Sequence, residues 1–113
     1  MKSDDFIHFV QNIFDCSLRY IKPCDENITT VAICGGAGAE FITQAIAQGA
    51  DIYITADMKY HEMQAACGQI GIIDLDHWTS EHFTREIFQD LLQEHVPTYV
   101  SQTDQTPVKW FIK

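Results

Sequence analysis

Three times along this chain a run of apolar, largely β-branched residues stops at glycines or polar residues, and a helical pattern follows. The first run, residues 28–34 (ITTVAIC), ends at Gly35, Gly36, Ala37 and Gly38; Phe41, Ile42, Ala45 and Ile46 then recur at helical spacing up to Gly49. The second, residues 52–55, gives way to Ala56, Asp57, Met58, Lys59, Tyr60 and His61, and a short helix through Met63, Ala65, Ala66 and Cys67. The third, residues 70–75, meets Asp76, His77, Trp78, Thr79, Ser80 and Glu81, and Phe83, Ile87, Phe88, Leu91 and Leu92 mark a helix that ends before Pro97. Short apolar runs bounded by turn signals are the signature of buried strands, whereas a repeat of three to four residues marks an amphipathic helix. Parallel neighbours need crossover connections, and right-handed crossovers lay helices over the sheet. The pattern therefore predicts an α/β fold, a three-layer α/β/α sandwich whose mostly parallel sheet contains residues 31–34, 52–55 and 72–75.

The flanks add smaller elements. Ser3, Asp4 and Asp5 make a helix start, and Phe6, Phe9, Val10, Ile13 and Phe14 form one apolar stripe that leaves His8 on the solvated side. Residues 18–21 predict a short strand, closed by Pro23 and the turn residues Asp25, Glu26 and Asn27. Towards the carboxyl end, Tyr99 and Val100 resume an extended pattern, residues 102–106 read as a turn and residues 108–112 as a last strand.

Length and composition narrow the possible roles. A chain of 113 residues, 46% of them hydrophobic, predicts one domain with a core of its own. Its 16 acidic and 7 basic residues give a formal charge of −9, which repels phosphate backbones and anionic membranes, so neither nucleic acid nor membrane is an expected partner. No apolar run reaches the length of a membrane span, and the start MKSDDFIHF lacks the pattern of a signal peptide; the expected location is cytoplasmic. Cys16, Cys24, Cys34 and Cys67 show no C-x-x-C spacing and are expected to be reduced thiols.

The candidate chemistry lies where strands end, because in a parallel sheet those ends emerge together and line the ligand crevice. His77 and Glu81 are four residues apart, which places an imidazole and a carboxylate on one helical face, as in a metal chelate or in a base with its orienting partner. A plainer reading competes, in which Thr79 or Ser80 caps the helix, Glu81 favours the first turn and His77 is a loop residue. The GGAG turn could present amides to an anion, but it matches neither the P-loop nor the dinucleotide fingerprint, and tight strand-to-helix packing accounts for its glycines.

VAICGGAGA, GADIYITADMKYHE and DLDHWTSE, in this order and spacing, resemble the carboxyl-terminal half of the Ngg-interacting-factor-three-like (NIF-three-like) family, also called GTP cyclohydrolase type-two homologues. The resemblance runs over nearly the whole chain. It implies two adjacent divalent metals in a cleft between two similar α/β halves, and assembly into toroidal hexamers. In the family's closing G-H-x-x-S-E motif the histidine and glutamate are ligands, which implies His77 and Glu81 here; the remaining ligands, a histidine pair and an aspartate, come from an amino-terminal half. This chain has no His-His pair, and Asp76 and Ala56 stand where the family commonly has glycine.

The resemblance thus implies part of a dinuclear site for zinc, manganese or iron, weak in this chain alone, that supports water activation for hydrolysis of a small substrate. His61 is then a candidate proton-transfer group, with Asp57, Lys59 and Tyr60 on the cleft wall. The expected partners are further copies of the chain, as a dimer or larger oligomer, and the amino-terminal half in cis or trans. A different class of function, a protein-interaction or assembly module with a vestigial metal half-site, is the competing expectation. An anion-binding flavodoxin-like domain ranks third.

Overall fold

The helix spanning Ser3–Phe14 (α1) buries Ile7 and Val10 against the sheet with Phe6 and Phe14 partly buried beside them, whereas Phe9 and Ile13 of the expected stripe are exposed and Ile7, outside it, takes the core position. Ser3 is not its cap: the residue is buried as the first helical position, with Lys2 before it. The computed structural model describes residues 1–103 and 106–113. After α1 come β1 (Arg19–Ile21), β2 (Val31–Ala37), a single 3-10 turn at Ala39–Phe41, α2 (Ile42–Ala47), β3 (Ile52–Ala56), α3 (Tyr60–Ala66), β4 (Gly71–Leu75), α4 (His77–Glu81) and α5 (Thr84–Leu92). They form two compact units, Met1–Glu81 and His82–Lys113.

In the first unit the four strands lie in the order β1-β4-β3-β2. β2, β3 and β4 are parallel, with Val31 opposite Ile52 and Ile52 opposite Gly71, while β1 joins the edge antiparallel to β4. Alternation along the central strands separates two cores. Ile52, Ile54, Ile73 and Leu75 meet α1 on one face, and Tyr53 and Ile72 meet Ala45 of α2 and Met63 of α3 on the other. Every residue of β3 and β4 is buried, as expected of strands covered on both sides. This is the predicted α/β/α sandwich with a mostly parallel sheet.

Two local expectations need correction. The glycines do not end β2 at Cys34: pairing continues to Ala37 opposite Ala56, with a register shift after Ile33. Gly36, at φ +68°, supplies the left-handed backbone that lets the strand bulge and continue. At the other end of the chain, residues 108–112 are not a strand. A β-rich sequence becomes a strand only beside a hydrogen-bonding neighbour, and here Trp110, Phe111 and Ile112 stay exposed. The predicted turn over residues 102–106 includes 104 and 105, which lie outside the described residues. In the second unit, Ile87, Phe88, Leu91 and Leu92 of α5 are also exposed.

Candidate functional site

Strand β4 passes into α4 through Asp76, whose Oδ2 accepts the Thr79 N–H at 3.1 Å and the Thr79 hydroxyl at 3.2 Å. Asp76, rather than Thr79 or Ser80, therefore caps the helix, and the short side chain suits the position. The Ser80 hydroxyl donates to the His77 carbonyl at 2.9 Å and accepts the Gly36 N–H, also at 2.9 Å, tying the glycine bulge to α4. From the sheet, the Thr55 hydroxyl donates to the Gly36 carbonyl at 3.0 Å. Both polar groups of Gly36 are thus engaged within the protein, which agrees with the packing reading of the glycine turn.

With capping left to Asp76, Glu81 turns back along the helix. Its Oε2 lies 3.1 Å from His77 Nε2, and on the other side of the ring Asp57 Oδ2 lies 2.5 Å from Nδ1. Asp57 arrives from the end of β3 in the left-handed conformation, φ +57°, which a short polar side chain tolerates better than most. The three side chains form a line, carboxylate–imidazole–carboxylate, each about half exposed.

The hydrogen bond that the His77 ring donates to Asp57 raises its pKa above its ordinary value; burial opposes this, and the charges of Asp57 and Glu81 add to it. A raised folded-state value means that the protonated ring stabilises the fold fully below the unfolded histidine pKa, about 6.5, and that this stability is lost as pH rises through the folded value. Half exposure screens the pair, so the effect is modest. In a pH titration followed by NMR, the His77 ring should change charge above pH ~6.5, and Asp57→Asn should bring its midpoint down. No change on Asp57→Asn would contradict the arrangement.

Gly36 makes the room that Glu81 occupies. A Cβ there would stand 2.3 Å from Glu81 Oε1 and 3.4 Å from His77 Cε1, and the positive φ penalises any side chain. Gly36→Ala should therefore cost about 1–2 kcal/mol in denaturant unfolding and displace the Glu81 carboxylate. Gly38 is confined in the same way, since a Cβ would meet Thr55 Oγ1 at 2.5 Å and the Tyr53 hydroxyl at 2.6 Å.

The other predicted site residues lie apart from this line. Lys59 leads into α3, its N–H donating to the Glu62 carboxylate at 2.7 Å. Tyr60 is 70% exposed, and the exposed His61 ring stands edge-on to it at 5.6 Å. Among the described residues no hydrogen bond or ion pair ties Lys59, Tyr60 or His61 to Asp57, His77 or Glu81. All four cysteines are free. Cys16 sits near Asp76, and burial, followed by the charges of Asp76 and Asp15, pushes its thiol pKa up, which makes it a poor thiolate ligand.

Sequence reading took Ser80 only as a possible cap and gave the buried Asp74 no role. Asp74 could have been found as the one charge inside the apolar run of residues 70–75. Among the described residues no group of three or more His, Cys, Asp and Glu side chains is placed to hold a metal ion. No helix among them is long and apolar enough to cross a membrane.

The profile of the Duf34/NIF3 (NGG1p interacting factor 3) family matches residues 1–107. A GTP cyclohydrolase 1 type 2 homolog of Staphylococcus epidermidis is 30% identical over 119 residues, covering 97% of this chain and 32% of that protein. Another, from Staphylococcus aureus, is 34% identical over 83 residues, 73% of this chain and 22% of that protein. Among solved structures, Staphylococcus aureus protein SA1388 superposes with a TM-score of 0.88 at 26% identity, over 98% of this chain and 39% of that one. A Bacillus cereus protein related to NIF3 gives 0.76 at 26% identity, over 98% of this chain and 33% of that one. The chain spans about a third of the length of these relatives.

Proposed function

Starting from the fact that the chain belongs to the Duf34/NIF3 family, we propose that it provides one wall of a divalent-metal site, with His77 and Glu81 as ligands. The observation that carries this reading is the 3.1 Å approach of His77 Nε2 to Glu81 Oε2. With Nδ1 held by Asp57 at 2.5 Å, Nε2 is the nitrogen that would turn to a metal once it gives up its contact with Glu81, leaving imidazole and carboxylate side by side. A carboxylate behind a histidine is the usual support for a metal-ligating imidazole.

The donor set fits part of such a site. Imidazole nitrogen and carboxylate oxygen both suit zinc, manganese or iron, but two ligands fall short of the three or four that hold such an ion firmly. The others come from outside the described residues, and the amino-terminal half of longer relatives is the proposed source. When bound, the metal would lower the pKa of a water and polarise a substrate oxygen, the chemistry of hydrolysis. The chain's own contribution is to fix the imidazole through Asp57, to keep Glu81 beside it through the space at Gly36, and to anchor α4 through Ser80. His61 stays a proposal as a proton-transfer group, and Lys59 and Tyr60 as substrate-facing residues. A cytoplasmic setting belongs to the same proposal, supported by four thiols with no disulfide among them.

Zinc titration of this chain, alone and joined to the amino-terminal half of a longer relative, tests the reading. The expected outcome is weak binding alone and a gain of about a hundredfold or more on completion, since the second set of ligands then acts intramolecularly. Equal affinity in both would count against it.

The second reading, an assembly module, draws on the exposed apolar positions of α5 and on Ile33, which is 71% exposed in β2. Self-association is its expected consequence, as a dimer or larger oligomer. Sedimentation across micromolar concentrations should then show species larger than 12.9 kDa. A clean monomer throughout would remove this reading.

A further inference from the structure

We propose that Arg19 and Asp74 form a brace that positions Asp57, so that an edge strand remote in sequence sets the orientation of the His77 ring; its bearing on metal binding rests on the reading above. Asp57 holds a left-handed conformation that costs an ordinary residue about 1–2 kcal/mol. The next residue, Met58, is pinned on both sides. Its buried N–H donates to Asp74 Oδ1 at 3.0 Å, and its carbonyl accepts from Arg19 Nη2 at 2.7 Å. Arg19 Nε in turn donates to Asp74 Oδ2 at 2.8 Å, and Arg19 Nη2 also contacts that oxygen.

Arg19 and Asp74 are register partners across the antiparallel β1 and β4 pair. One ion pair, built on two strands, thereby clamps both peptide groups of the residue after Asp57. The carboxylate of Asp57 is then delivered 2.5 Å from His77 Nδ1.

A charge in this place calls for an explanation beyond stability. Asp74 is 5% exposed in a strand that is otherwise apolar, while the Arg19 side chain is 60% exposed, so one carboxylate is desolvated for a pair that water partly screens, a weak source of net stability. An apolar side chain could fill the space, but it could not bind the Met58 N–H, and with Arg19 gone the Met58 carbonyl would also be released. The turn would relax from the left-handed conformation, and Asp57 would swing away from the ring. Arg19 and Asp74 are positioning residues in this scheme, acting through Asp57 and touching neither metal nor substrate.

The test uses the full 113-residue chain without metal, at a pH where His77 is neutral, and reads the ring's tautomer by long-range 1H–15N NMR. The parent should show the proton on Nδ1, and Asp57→Ala should shift it toward Nε2. Arg19→Met should shift the tautomer in the direction of Asp57→Ala. The double variant should go no further than Asp57→Ala, because both changes act on one contact. Arg19→Lys, which keeps the charge beside Asp74 but not the fork of donors, should lie between.

If Arg19→Met lowers stability and leaves the Nδ1–H tautomer at the parent's level, the pair is structural only and the proposal is overturned. Should Arg19→Met fail to fold, Arg19→Lys decides: a tautomer identical to the parent's overturns the proposal, and an intermediate one supports it. Because no metal is present, failure of zinc to bind His77 would leave this outcome untouched. Where zinc does bind, Arg19→Met should lower its affinity about tenfold, in the range for groups that orient a ligand.

Discussion

His77→Ala is expected to remove about a hundredfold or more of the zinc affinity of the completed protein, while the fold and its unfolding midpoint change little. The ring is half exposed at the end of the sheet, with the carboxylates of Asp57 and Glu81 on either side of it. Loss of the imidazole removes a nitrogen ligand and leaves two carboxylates facing solvent, where both remain hydrated. Asp76→Ala is the contrasting variant. It removes the acceptor of the Thr79 N–H and hydroxyl and should cost about 1 kcal/mol of stability, with a far smaller loss of zinc affinity than His77→Ala. Calorimetric titration of the two variants separates ligand from cap. If His77→Ala binds zinc as well as the parent, the ligand assignment falls.

Ile73→Ala should lower stability by about 3 kcal/mol in urea unfolding, because a large-to-small change in a closed core loses both transfer energy and packing. Ile73 is fully buried in β4, facing Ile7 and Val10 of α1. Ile33→Ala, by contrast, should change stability by no more than about 0.5 kcal/mol, since that side chain is 71% exposed at the sheet edge. Equal losses at the two positions would contradict the layering of α1 over β3 and β4.

The same contrast explains what could be read from the residues alone. Ile52, Ile54, Ile72 and Ile73 announce themselves because burial on both faces of a sheet leaves an unbroken apolar run, and the helices between them fix the parallel order. His77 and Glu81 were legible as a pair because their spacing alone places them on one helical face. Asp57 was legible as a neighbour at the same sheet edge, along with His61, but its direct bond to the His77 ring was not, since a contact across 20 residues depends on a left-handed turn that sequence does not display. The capping of α4 by Asp76 was also hidden: Asp, Thr and Ser all serve as caps, and adjacent candidates are separated only by where the chain leaves the strand. The predicted strand at residues 108–112 failed for the opposite reason, because local propensity was present but no strand pairs with it among the described residues.

The most direct measurement is anomalous diffraction at the zinc edge from crystals of the protein completed with an amino-terminal half and soaked in zinc. The expected result is a peak within bonding distance of His77 Nε2 and a Glu81 carboxylate oxygen, about 2.0–2.2 Å from each, with Asp57 still on Nδ1. A zinc peak elsewhere, with His77 and Glu81 still paired to each other, would contradict the assignment of these two residues as ligands.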